Sequence, residues 1–123
     1  MVFGKKAHIE YYLTLTGENP VSDFLDSLTK QQQTKVLRIL TYIEEYGLQA
    51  VITHVKKLAG TQLWEIRILG KDNIRVFYVL AQENIVLVLH GFIKKKQRTP
   101  LKEIDLALKR YKDWLDRKNL IDK

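Results

Sequence analysis

The chain is predicted to fold as an α+β domain with the element order β-α-α-β-β-β-α, its helices packed on a small twisted antiparallel sheet. Three observations predict this. Short segments alternate apolar and polar residues, longer ones repeat apolar residues at spacings of three and four, and turn-forming clusters separate the two kinds. The three central strand-like runs follow one another with no helix between them, which is the pattern of an antiparallel meander. At 123 residues the sequence fits one domain covering residues 1–123. A chain of that size buries roughly two-thirds of its unfolded surface without disulfide support.

Each element has its own signal. Ile9, Tyr11, Leu13 and Leu15 alternate in the manner of a half-buried strand. Asn19-Pro20 opens a short helix with an apolar face of Val21, Phe24, Leu25 and Leu28, because proline suits the first helical position. Thr29-Lys30-Gln31-Gln32 matches a capping box, followed by Val36, Ile39, Leu40 and Ile43 on one face and Gly47 as a stop. Strand-like runs occupy Leu63–Leu69, Ile74–Leu80 and Ile85–Leu89, with turns at Gly70-Lys71-Asp72-Asn73 and Gln82-Glu83-Asn84. Thr99-Pro100 opens a last helix with Leu101, Ile104, Leu108, Tyr111 and Leu115 facing the core. Trp64 and Phe77 read as core residues, and Tyr111 and Trp114 as the side chains that seat the last helix.

Composition narrows the functional classes. The chain has no cysteine, which excludes a disulfide framework, a thiolate metal site and a cysteine nucleophile, and fits a reducing cytoplasm. Met1 to Leu15 contain no apolar signal core, and no run of about 18 apolar residues occurs, so neither secretion nor a membrane span is expected. His8, His54 and His90 are far apart and lack ligand spacing, so no metal is expected, nor any cofactor. The charge is localised. Residues 51–98 hold nine Lys/Arg against three Asp/Glu, hence +6 of the chain's net +7, and the pI is near 9.6. Such a balance favours a polyanionic partner.

The arginines are the most telling residues. Charged side chains enter a strand pattern when they face solvent, a counter-charge or a bound anion. Arg67 and Arg75 sit in neighbouring strands, and the third strand runs on into Lys94-Lys95-Lys96. Guanidinium groups on a rigid sheet match phosphate oxygens and never lose their charge, which suits the stabilisation of a five-coordinate phosphate during metal-free RNA cleavage. The bland readings are a solvated arginine, an ion pair between Arg75 and Glu65, and a solvated lysine run. A phosphate clamp needs both arginines on one face. A four-residue loop pairing Leu69 with Ile74 would set them on opposite faces, whereas a three- or five-residue loop, or a bulge, brings them together.

Five motifs in order, Lys56-Lys57-Leu58, Leu63-Trp64-Glu65-Ile66-Arg67, Arg75-Val76-Phe77-Tyr78, His90-Gly91-Phe92-Ile93-Lys94-Lys95 and Thr99-Pro100-x-x-Glu103-Ile104, resemble the phage-derived HigB branch of the RelE/ParE toxin superfamily. The resemblance covers roughly residues 5–115. It implies a RelE-like fold and the toxin of a type II toxin–antitoxin pair, acting as a ribosome-dependent, metal-independent mRNA endoribonuclease. It also implies a HigA-like helix-turn-helix antitoxin in a hetero-oligomer, with the ribosome and mRNA as further partners. Carried over by position, the catalytic residues are Arg67, Arg75 and Lys95. Lys56, Lys57, Lys94, Lys96 and Arg98 serve as RNA contacts, and Glu65 and His54 are the candidates for general base. The sequence departs from relatives in having Glu65 where some carry a lysine, and in lacking a tyrosine near Thr99-Pro100. ParE relatives share the fold but inhibit DNA gyrase, so a gyrase inhibitor and a non-catalytic nucleic-acid-binding module are the alternatives.

Overall fold

The computed structural model describes residues 6–68, 70–71, 73–82, 84–95 and 97–122; Leu69, Asp72, Glu83 and Lys96, which the strand, turn and basic-run readings include, lie outside the described residues. In chain order the elements are β1 (His8–Tyr11), α1 (Pro20–Asp26), α2 (Lys30–Tyr46), a 3-10 segment (Leu48–His54), β2 (Val55–Lys57), β3 (Trp64–Ile68), β4 (Ile74–Gln82), β5 (Ile85–Ile93) and α3 (Leu101–Asp122). The sheet order is β1-β5-β4-β3-β2. The α+β class and the meander hold, with two differences at the sheet's edges. Val55–Lys57 forms an extra strand paired antiparallel with β3, too short to show a period in sequence. β1 pairs parallel with β5, because the helical connection carries the chain across the sheet to β2 before three antiparallel strands return it.

Local chemistry fixes the element ends. Asn19 Oδ1 accepts the Ser22 amide at 3.0 Å, with Pro20 at the first helical position. Thr29 and Gln32 form the reciprocal capping box, and Gly47 ends α2 at φ 82°. β1 stops sooner than the alternation predicts. Thr14 to Glu18 close a turn with Gly17 at φ 88°, leaving Leu13 and Leu15 46% and 82% exposed. Turn chemistry there overrides hydrophobic alternation.

The sheet separates two cores. Ile66, Ile68, Ile74, Val76, Tyr78 and Val88 pack against α1 and α2 on one face. Phe77, Val79, Leu87, Leu89 and Phe92 pack against Ala107, Ile104, Leu108, Tyr111 and Trp114 of α3 on the other. Leu101 is 75% exposed and does not join this face, whereas Ala107 is fully buried in it. A bulge shifts the β4–β5 register between Phe77–His90 and Tyr78–Val88. It turns the consecutive residues Leu89 and His90 both toward α3. On the opposite face Gly91 lies beneath α1, where an added Cβ would fall 2.5 Å from Phe24 Cδ2. Among the described residues no helix is long and apolar enough to cross a membrane.

Candidate functional site

The β3–β4 register decides the arrangement of the arginines. Ile68 pairs with Ile74, so five residues connect the strands, and Arg67 stands directly opposite Arg75. Their neighbours Ile66, Ile68, Ile74 and Val76 all enter the α1/α2 core, so both arginines occupy the α3 face. Two rows of side chains cross that face. One runs Lys56, Glu65, Phe77, His90 from β2 to β5, and the other Arg67, Arg75, Phe92.

The two arginines have different surroundings. Arg75 is 9% exposed; its Nη1 donates to the Ile74 carbonyl at 3.1 Å, and its Nε lies 3.8 Å from Glu65 Oε1 without a hydrogen bond. Glu65 is itself buried, and its Oε2 accepts from Thr99 Oγ1 at 3.2 Å. The segment after β5 therefore folds back over β3. Its start is fixed by Lys94 N–H donating to the Asn73 carbonyl at 2.8 Å. Between this segment and the start of β4 lies an open recess of about 290 Å³ lined by Asn73, Arg75, Lys94, Lys95 and Gln97. Arg67 is exposed beside it, and Lys56 is exposed next to Glu65.

Charge opposed across an antiparallel pair is unfavourable unless something neutralises it. Glu65 partners Arg75, but no carboxylate among the described residues pairs with Arg67, Lys94 or Lys95. The arrangement keeps a surplus of cations around one recess, able to hold an anion by charge-assisted hydrogen bonds.

The remaining sequence candidates distribute as follows. Arg98 is exposed on the same returning segment, and Lys96 lies outside the described residues. Lys57 occupies the opposite face, its Nζ 5.8 Å above the Trp64 ring, which stacks on Tyr78. His54 sits in the 3-10 segment with its Nδ1 buried and unpaired among the described residues. Sequence reasoning missed Asn73, Gln97 and Thr99. It also missed a cluster that seats α3 beside the site. His90 Nε2 lies 3.2 Å from Glu103 Oε1, and Arg110 Nη1 lies 3.2 Å from His90 Nδ1 and donates to the Leu89 carbonyl at 2.9 Å. A guanidinium only donates, so Nδ1 accepts and Nε2 carries the proton toward Glu103. Burial lowers the pKa of His90, against the opposing pull of Glu103. The ring stacks on Phe92, the cross-strand neighbour of Arg75. The available signal was Glu103 and Arg110, seven residues apart and hence on one helical face. Among the described residues no three His, Cys, Asp or Glu side chains gather as a metal site.

The model of the phage-derived Gp49-like protein family (DUF891) matches residues 23–112, from within α1 to the middle of α3. The chain belongs to the Gp49-like family. Nothing among the curated proteins matches it. The Gp49-like span takes in β2 to β5, the returning segment and the part of α3 that carries Glu103 and Arg110, and leaves β1 outside. The arginine pair and the recess thus belong to the part of the chain that defines this family.

Proposed function

We propose that this Gp49-like protein is the toxin of a type II toxin–antitoxin pair and acts as a ribosome-dependent, metal-independent mRNA endoribonuclease. One observation carries the reading: Arg67 and Arg75 oppose each other on one sheet face, beside a recess holding Lys94 and Lys95, with buried Glu65 as the counter-charge of Arg75 alone among the described residues. The resemblance of the ordered motifs to HigB-like toxins supplies the reaction. Arg67 and the recess lysines contact the non-bridging oxygens of the scissile phosphate and stabilise the charge that grows there as the 2′-oxygen loses its proton and bonds to phosphorus, the bond to the 5′-oxygen breaks, and that oxygen leaves with a proton. Arg75 supports them from the floor of the recess, oriented by Glu65. Glu65 serves as its holder better than as general base, since both carboxylate oxygens are engaged and the group is 4% exposed. Lys56 and Arg98 extend the phosphate contacts. The partner that silences the protein is a HigA-like helix-turn-helix antitoxin.

Mapping mRNA 5′ ends after induced expression tests this reading. New ends within codons of translated messages, absent from an Arg67→Ala strain, are expected. Intact messages with trapped gyrase–DNA complexes would replace it with gyrase inhibition, and intact messages with neither would leave a nucleic-acid-binding module.

A further inference from the structure

A second basic recess lies on α2, on the other side of the β3–β4 turn. Lys30, Gln31, Thr34, Lys35 and Arg38 line an open hollow of about 600 Å³. Lys35 Nζ reaches to within 3.9 Å of the point where a side chain on Gly70 would begin, so the hollow abuts the same turn whose far end, Asn73, lines the arginine recess. Lys30 and Arg38 are exposed and have no ion-pair partner among the described residues.

The charge order along α2 runs against what helix stability favours. The first nine residues of the helix carry Lys30, Lys35 and Arg38 and no acid, while Glu44 and Glu45 crowd the last turn. A helix gains from acids at its start and bases at its end, by about 0.3–1 kcal/mol each. The inverted order is unfavourable for the isolated helix and favourable for holding an anion against its first half. Thr29 and Gln32 already cap the helix start, so the side chains are what would meet the ligand.

We propose that this face of α2 binds the phosphate backbone of folded, double-helical RNA, separately from the strand that is cut. The lining residues present cations, a hydroxyl and an amide but no aromatic ring, and the exposed rings farther along α2, Tyr42 and Tyr46, lie beside each other with centroids 6.2 Å apart. Single-strand sites combine charge with stacking platforms, whereas helical RNA is gripped through phosphates and 2′-hydroxyls. The inference deepens the ribosome-dependent reading by giving the protein an RNA anchor away from its chemistry, and it rests on that reading only for which RNA is met in the cell.

The test is binding of the intact protein to a fluorescent RNA hairpin, titrated over a range of salt, for the wild type and a Lys30→Ala/Arg38→Ala variant checked for native circular dichroism. Each lost phosphate contact should lower the salt slope by about one, so the variant should bind on the order of tenfold to a hundredfold more weakly at 0.1 M salt, with a slope reduced by about two. Unchanged affinity and slope would overturn the proposal. Equal competition by an unstructured strand of the same length would overturn the helical occupant, and so would loss of binding to an acidic peptide with hairpin binding intact. The nuclease reading fails separately: wild-type protein that binds the hairpin through α2 but cuts nothing on ribosomes leaves this proposal standing and removes the other. The converse result, cleavage with no α2 dependence of hairpin binding, does the opposite.

Discussion

Arg67 and Arg75 face each other across two strands yet should respond differently to removal. Arg67 is exposed and makes no ion pair among the described residues, so Arg67→Ala should leave stability within about 0.5 kcal/mol. If Arg67 holds the phosphate, cleavage on ribosomes should fall by roughly 10²–10³, the loss typical of one transition-state donor. Arg75→Ala strands Glu65 in a buried site. It should cost about 3 kcal/mol, near the lower end for breaking a buried ion pair, and adding Glu65→Gln should recover part of that. Thermal melts beside cleavage rates check both; an Arg67→Ala variant that is folded and fully active removes Arg67 from the chemistry. Both arginines stand out in the sequence as charges inside apolar runs. Their common face was undecided there, because loop length, not composition, sets strand register. The Glu65–Arg75 ion pair was among the readings the sequence offered and is present, whereas the cover from Thr99 depends on the path of the segment after β5, which has no local signal.

At the level of elements, α3 is held to the sheet by apolar packing plus the His90–Glu103–Arg110 cluster, and both attachments are testable. The folded-state pKa of His90 lies below its unfolded value because burial disfavours the charged ring. The unfolded chain therefore takes up the proton first. Stability is unaffected above the unfolded pKa of about 6.5 and declines as the pH falls below it toward the folded pKa. A His90→Gln variant should show a flatter decline of Tm between pH 7 and 5 than the wild type; parallel curves would mean His90 carries no part of the acid sensitivity. On the other face Gly91→Ala should cost about 1–3 kcal/mol by forcing the Phe24 ring away, with Phe24→Leu restoring part of the loss. An unchanged melting temperature for Gly91→Ala would show that Phe24 yields freely. The helices were legible in sequence because caps and apolar spacing agree over many residues, as at Thr29 and Gln32. β2, the Leu89–His90 bulge and the parallel pairing of β1 were not, since each depends on partners distant in the chain.

For the whole molecule, the distribution of charge argues for a protein that binds RNA readily and cuts it poorly without help. Cations surround the arginine recess and line the hollow on α2, and Glu65, the acid beside Arg75, is buried against Arg75 and Thr99. Such a surface supplies phosphate affinity but little proton transfer. On the proposed nuclease reading, alignment of the 2′-hydroxyl would come from the assembly that holds the message, a positioning effect worth several kcal/mol. Purified protein should bind free RNA with a steep salt dependence and leave it intact over the time in which programmed ribosomes support cleavage at the A site. The comparison uses one end-labelled message with and without ribosomes, followed over the same time course. Rapid cutting of the naked message would mean that the arginine recess contains a complete catalytic apparatus and that the ribosome serves only as the place where substrate is found.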